Sequence, residues 1–293
     1  MMFFLRNIIQ TLFTVVQFVG GGYAVAPSDS LTLVSAPWQV DTLDGMVLKT
    51  VHFSHQEYFQ SNQYMAVLEI PAGADYGLSF AYEPQRTPTT TIAQRHHAVA
   101  AINGSFFDMD KHNPICFLRI DGKEISENVA GKDTLHRKYY QYGTLALTPR
   151  PCIVRTDSLR NWERCLSYPD IMTAGPLLIY HDSVQAMRDD LSFVYKRHNR
   201  SAVGIRPDGT VLLFVVDGRT KESEGMSLDE LIKTMKWLGC CDALNLDGGG
   251  STTLYVQGLP HNGVVNHPSD NGNFDRKGER AVSNAILVLS KKD

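Results

Sequence analysis

Residues 227–239 read SLDELIKTMKWLG, and the apolar positions Leu231, Met235 and Leu238 recur at helical spacing, with Ile232 widening the stripe. Ser227 and Glu230 form a capping box, in which the serine side chain accepts from the N3 amide while the glutamate reaches back. Gly239 stands where a helix stops. Apolar runs flank this helix: 211–216 before it and 243–246 after it. Strand, capped helix, strand predicts a βαβ unit at about 211–247, whose strands run parallel. Upstream, Arg206-Pro207-Asp208-Gly209 separates the runs 200–205 and 211–216, which predicts a hairpin. The geometric consequence concerns two aspartates. Asp217 and Asp247 each follow the carboxyl end of a strand, on the edge where parallel sheets place ligands. As neighbours, those strands would lie about 4.8 Å apart, and both carboxylates would reach one substrate.

Elsewhere the alternation is looser. Strand-like runs at 46–53 and 64–70 are punctuated by Asp44-Gly45 and Pro71-Ala72-Gly73. A short helix is expected at 90–97, then a small apolar strand at 98–102; the stretch 112–180 reads as short strands with turns at Asp121-Gly122 and Pro149-Arg150-Pro151. His96 and His97 read as a helix end rather than as metal ligands. The expected class is α+β, a mixed β-sheet core with flanking helices, in a single domain over 27–293.

The first 26 residues break the pattern. Arg6, an apolar stretch interrupted by Gln10 and Gln17, and Ala24-Val25-Ala26 resemble a secretory signal. The expectation is a secreted or periplasmic (cell-envelope) protein with no stable membrane span after signal cleavage. A net charge of −3 without a long Lys/Arg run argues against nucleic acid as a partner. The five cysteines form no CxxC pair; a Cys152–Cys165 bridge is open, but an odd count leaves at least one free thiol.

Candidate chemistry centres on Asn245-Leu246-Asp247-Gly248-Gly249-Gly250-Ser251-Thr252-Thr253. A phosphate-cradling P-loop needs a lysine before the hydroxyl residue, and none precedes Ser251. The dinucleotide pattern fails because Ser251-Thr252-Thr253 follow the glycines, and a calcium loop starting at Ala243 would end on Leu254 instead of glutamate. What remains is backbone brought close to a ligand, with the amides of the glycines, Ser251 and Thr252 as an anion nest. Asn103-Gly104-Ser105-Phe106-Phe107 ends another buried-looking strand in the same manner, as a sugar-binding rim would, and Gly175 marks a further close approach.

Taken in order, Asn-Gly-Ser-Phe-Phe at 103–107, Ala-Gly-Pro-Leu-Leu at 174–178, Arg-Ser-Ala-Val-Gly at 200–204, Val-Asp-Gly-Arg at 216–219, Glu-Gly-Met-Ser-Leu at 224–228, the 245–253 motif, Val-Asn at 265–266, Pro-Ser-Asp at 268–270 and Arg280 resemble the phosphodiester glycosidase family over about 95–290. The resemblance implies hydrolysis of sugar-1-phosphate diesters, such as N-acetylglucosamine-1-phosphodiesters, at the anomeric carbon. The implied partner is a phosphorylated glycan or sugar-1-phosphodiester substrate. An animal member of the family carries glutamine where Arg219 stands, so that arginine is not obligatory throughout.

A phosphate ester is a better leaving group than a sugar alkoxide, which shifts the catalytic burden from proton donation to charge stabilisation. The roles that follow give Arg200, Arg219 or Arg280, with the amides of Gly249, Gly250 and Ser251, the phosphate. Asp247 or Asp217 supplies the carboxylate at the anomeric centre, and Asn103 and Asn245 position sugar hydroxyls or the carboxylates. Gly104, Phe106, Gly175, Gly248, Thr252 and Asn266 complete the expected binding surface. No cofactor is required by the sequence, and a divalent metal is left open. Two alternatives stand beside this reading: a non-catalytic glycan- or envelope-binding module of the same fold, and a metal-dependent phosphodiesterase with Asp217 and Asp247 as ligands.

Overall fold

The computed structural model describes residues 28–129, 139–156, 162–188 and 191–291; the expected export signal over 1–26 lies outside the described residues. Three antiparallel sheets of eight, five and four strands, with few helices, bear out the α+β class. In the largest sheet the strands Gln39–Leu43, Met46–Tyr58, Ser61–Ile70, Val211–Val216, Arg200–Ile205, Asp242–Asn245, Leu177–Tyr180 and Ser183–Val184 lie side by side in that order. The five-stranded sheet comes from the 118–174 region. The four-stranded sheet orders Leu254–Val256, Ala100–Asn103, Ala281–Ser290 and Tyr76–Pro88.

The run 211–216 is continuously apolar because both of its faces are covered. Val211, Leu213 and Val215 join a core shared with Leu118, Leu145 and Met172 of the five-stranded sheet and Ile102, Leu254 and Ile286 of the four-stranded one. Leu212, Phe214 and Val216 face the other way, into a second core formed with Leu231, Ile232 and Met235. Those three belong to the helix Leu228–Trp237. Its predicted capping box is present: Glu230 N donates to Ser227 Oγ at 3.2 Å and Ser227 N donates to Glu230 Oε2 at 2.9 Å.

The helix joins strands of the same direction, but they are not neighbours. The strand Arg200–Ile205 runs between them, pairing Arg200 with Val216 on one side and Ala202 with Asn245 on the other, both antiparallel. The hairpin explains this. Every residue from Arg200 to Ile205 is buried, so the strand belongs in the sheet interior, and its second edge accepts Asp242–Asn245. The crossover therefore spans one strand, and the carboxyl ends that carry Asp217 and Asp247 are about two strand spacings apart, roughly 9.6 Å in place of 4.8 Å.

Candidate active site

Past Asn245 the chain leaves the sheet in a turn that neighbouring loops hold by its backbone. Asp247 N donates to Gly104 O at 3.0 Å, and Asn103 Nδ2 donates to Asp247 O at 2.7 Å. Asn103 is buried and also accepts from Ser201 Oγ at 2.7 Å and Thr253 N at 3.2 Å, so one amide clips three segments together. Each glycine has its own reason. A Cβ on Gly248 would stand 2.6 Å from Asn199 O; Gly249 has φ +62° and a Cβ there would meet Arg219 Nη2 at 2.7 Å; at Gly250 it would meet Asp270 Oδ1 first and then Arg280 Nη2 at 2.6 Å. Two guanidinium groups thus rest on the glycine backbone directly after Asp247.

Asp247 keeps part of its surface accessible. Its Oδ1 accepts from Gly248 N at 2.9 Å. Burial pushes the carboxyl up to about 6, opposed by the Ser251 hydroxyl, the Gly248 amide and the charges of Arg280 and Arg219. Arg219 is exposed, has φ +66°, and forms no ion pair among the described residues. Arg280 is tethered: its Nε and Nη2 donate to Asp270 Oδ1 at 2.8 and 2.5 Å. His198 adds no positive charge here, because burial, followed by the charges of Arg200, Arg219 and Lys196, lowers it to about 4. Around the turn, Asn199 Nδ2, Asn245 Oδ1, Thr252 Oγ1 and Thr253 Oγ1 are buried without a protein partner.

Asp217 has a different environment. It is buried, and both oxygens are occupied: Asn266 Nδ2 donates to Oδ1 at 2.8 Å, while His267 donates to Oδ2 from its backbone amide at 2.8 Å, with the ring Nδ1 2.9 Å away. Burial raises this carboxyl, and the contacts with His267 and Asn266 oppose the rise. His267 stacks on Phe274 at 3.8 Å between ring centres and meets Tyr64 edge-on. Asn266 also donates to Thr252 O and accepts from Leu254 N, so the Asp217 network supports the far side of the glycine turn.

The other expected site residues divide. Arg200 does not offer its guanidinium to an open surface: it is buried on the helix side, where Nε donates to Met226 O and Nη2 to the carbonyls of Phe193 and Lys196. Three amides of the expected nest are taken within the protein: Gly249 N donates to Asn199 O, Ser251 N to Gly248 O and Thr252 N to Gly249 O. Asn245 Nδ2 donates to the carbonyls of Gly175 and Leu246, and Gly175 lies against the Tyr140 backbone. Phe106 is half-buried against Tyr140 and Phe193. Gly104 is glycine because a Cβ would come within 2.1 Å of Asn284 Oδ1, which accepts from Ser105 N.

Sequence reasoning missed His267, Asn199 and Asn284. Only His267 carried a signal, standing between the motif residues Asn266 and Pro268. Among the described residues, no group of three or more His, Cys, Asp or Glu side chains is arranged to hold a metal ion, and all five cysteines are free, so Cys152 and Cys165 are not bridged.

The phosphodiester glycosidase family matches residues 96–289, and the chain belongs to that family. It is 38% identical over 97 residues to the SPbeta prophage-derived uncharacterized protein YomE of Bacillus subtilis (strain 168), covering 33% of this chain and 14% of that protein. It is 35% identical over 89 residues to the N-acetylglucosamine-1-phosphodiester alpha-N-acetylglucosaminidase of Mus musculus, covering 30% of this chain and 16% of that enzyme. Both matches span a small part of those relatives. In fold, the chain is similar to the catalytic domain of the zebrafish enzyme of the same name, auto-inhibited by its pro-peptide: TM-score 0.62 and 17% identity over 90% of this chain and 94% of that one. A hypothetical protein from Synechocystis matches with TM-score 0.62 and 17% identity, covering 87% of this chain and 64% of its own.

Proposed function

We propose that this chain hydrolyses sugar-1-phosphate diesters, N-acetylglucosamine-1-phosphodiesters among them, at the anomeric carbon. The observation that carries the reading is the half-buried Asp247 with a guanidinium at each of two glycines that follow it, Arg219 at Gly249 and the Asp270-tethered Arg280 at Gly250. Planar guanidinium forks match phosphate oxygens. In this reading Arg219 and Arg280 hold the phosphate and stabilise the charge it gains as the sugar–oxygen bond breaks. Asp247 faces the anomeric carbon and stabilises its developing positive charge or activates the attacking water. Asn103, which holds the Asp247 carbonyl, acts as a positioning residue.

Asp217 is assigned to support, because both of its oxygens already accept hydrogen bonds. The same saturation weighs against Asp217 and Asp247 as shared metal ligands. Export to the cell envelope or medium belongs to the proposal as well; it rests on the apolar segment and Ala24-Val25-Ala26, and fractionation of cells expressing the full chain tests it.

The test is Asp247→Asn on purified protein, assayed for release of free sugar from a sugar-1-phosphate diester. Loss of turnover with the fold retained is expected; near-wild-type hydrolysis refutes the assignment. A glycan-binding module without turnover would bind the diester and release nothing from wild type.

A further inference from the structure

The Asp247 turn is not the end of the cationic surface. The strand Tyr76–Pro88 pairs with Ala281–Ser290 in a register that sets Thr87 opposite Val282 and Pro88 opposite Ala281. That register brings Arg86 to the sheet edge from which Arg280 emerges. Together with Gln85, Met109, His112 and Asp270, these two arginines line a cleft of about 390 Å³. Arg280 is the shared wall, since the same guanidinium rests on Gly250.

Arg86 is the unusual member. Its Nε is buried with no hydrogen-bond partner. Its Nη1 donates to Met109 Sδ at 3.4 Å, and a thioether is a weak acceptor. Among the described residues it forms no ion pair, whereas its neighbour Arg95 is paired with Glu83 at 2.9 Å. The carboxylate in the cleft, Asp270, is committed to Arg280, with Nε and Nη2 both on Oδ1. A half-buried guanidinium with an unsatisfied N–H is costly unless an anion meets it. Other arginines here have oxygen acceptors within the protein: Arg197 is paired with Glu230, Arg206 with Glu69, and Arg200 donates to three carbonyls.

We infer that this cleft is a leaving-group subsite, in which Arg86, with His112 beside it and Arg280 shared, binds a second oxyanion carried by the alcohol of the diester. The inference rests on the diester reading for its place in catalysis, but not for the anion site itself. A substrate with one phosphate engages Arg219 and Arg280; a substrate with a further acidic group also engages Arg86. The site therefore selects for diesters whose departing phosphate monoester carries a further acidic group on its alcohol.

Two measurements separate the inference from the reading it rests on. The first uses inorganic phosphate as the probe, with ³¹P NMR titration of Arg219→Gln protein, in which the turn is weakened and the cleft is intact. Adding Arg86→Gln should weaken phosphate binding by about 10- to 100-fold, the range expected for a hydrogen bond to a charged partner. Arg86→Lys should recover part of it. Equal affinity with and without Arg86 overturns the site, whatever the enzyme hydrolyses.

The second compares sugar-1-phosphate diesters of ethanol and of 2-phosphoethanol. Wild type should prefer the phosphorylated alcohol in kcat/KM, and Arg86→Gln should reduce that preference by about tenfold. No preference in wild type, or an unchanged preference in the variant, overturns the leaving-group role. If neither diester is hydrolysed while the phosphate titration behaves as expected, the anion site stands and the diester reading fails.

Discussion

The guanidinium of Arg219 lies against the backbone of Gly249 so closely that a methyl group on that glycine would come within 2.7 Å of Nη2. Arg219 itself has φ +66° and Gly249 has φ +62°, so two left-handed residues from different loops meet beside Asp247. Gly249→Ala should therefore displace Arg219 and strain the turn together. The expected result is a stability loss of about 1–2 kcal/mol with a larger, roughly 100-fold, fall in kcat/KM. Denaturant unfolding and steady-state kinetics on the same preparation check both parts.

Two of the three arginines that the sequence offered as equivalents should behave oppositely. Arg219 is exposed and has no ion pair among the described residues, so Arg219→Gln should leave the melting temperature nearly unchanged and cut kcat/KM by about 10²–10³-fold. Arg200 is buried and donates to three carbonyls, so Arg200→Met should cost about 2–4 kcal/mol by removing those hydrogen bonds. Activity per folded molecule should fall far less in Arg200→Met than in Arg219→Gln.

Asp247 links activity to stability through its proton. Its carboxyl is raised to about 6, so the folded state holds the proton more tightly than the unfolded chain does. Its contribution is therefore neutral below about pH 4, turns increasingly unfavourable as pH rises to about 6, and stays at that cost above. Asp247→Asn should stabilise the protein at pH 7–8 by about 2–3 kcal/mol, with the gain vanishing below about pH 4. In wild type, kcat/KM should rise with pH through an apparent pKa near 6 as the carboxylate forms. Unfolding curves across pH, with the wild-type pH–rate profile, give the comparison.

Much of this site could be read from residue patterns because local rules governed it. The capping box, the 200–216 hairpin and the position of both aspartates at strand ends depend on neighbours within a dozen residues. What could not be read depended on pairing across the chain. No local feature says that Arg200–Ile205 slots between the two strands joined by the helix, so the 4.8 Å spacing expected between them doubled. That intervening strand also sets the fates of Arg200 and Ser201. Alternation sends Arg200 to the helix side and Ser201 to Asn103. His267 escaped notice because its role comes from contact with Asp217, fifty residues away in sequence. The glycines were legible as sites of close approach, but not what approaches them: the backbone of Asn199, two guanidinium groups and the Asp270 carboxylate.

Asn103 separates positioning from chemistry. It clips the Asp247 carbonyl to Ser201 and Thr253 from a buried position. Asn103→Ala should lower stability by about 2–4 kcal/mol and reduce kcat, while the rise near pH 6 persists because Asp247 is still present. Disappearance of that rise would make Asn103 part of the titrating unit rather than its support.

Bond cleavage at carbon rather than at phosphorus is the claim on which the roles of Asp247, Arg219 and Arg280 depend. Hydrolysis of a sugar-1-phosphate diester in ¹⁸O-enriched water, with mass analysis of both products, tests it most directly. The account predicts the label in the released sugar and unlabelled phosphate ester; label in the phosphate, with unlabelled sugar, would contradict it.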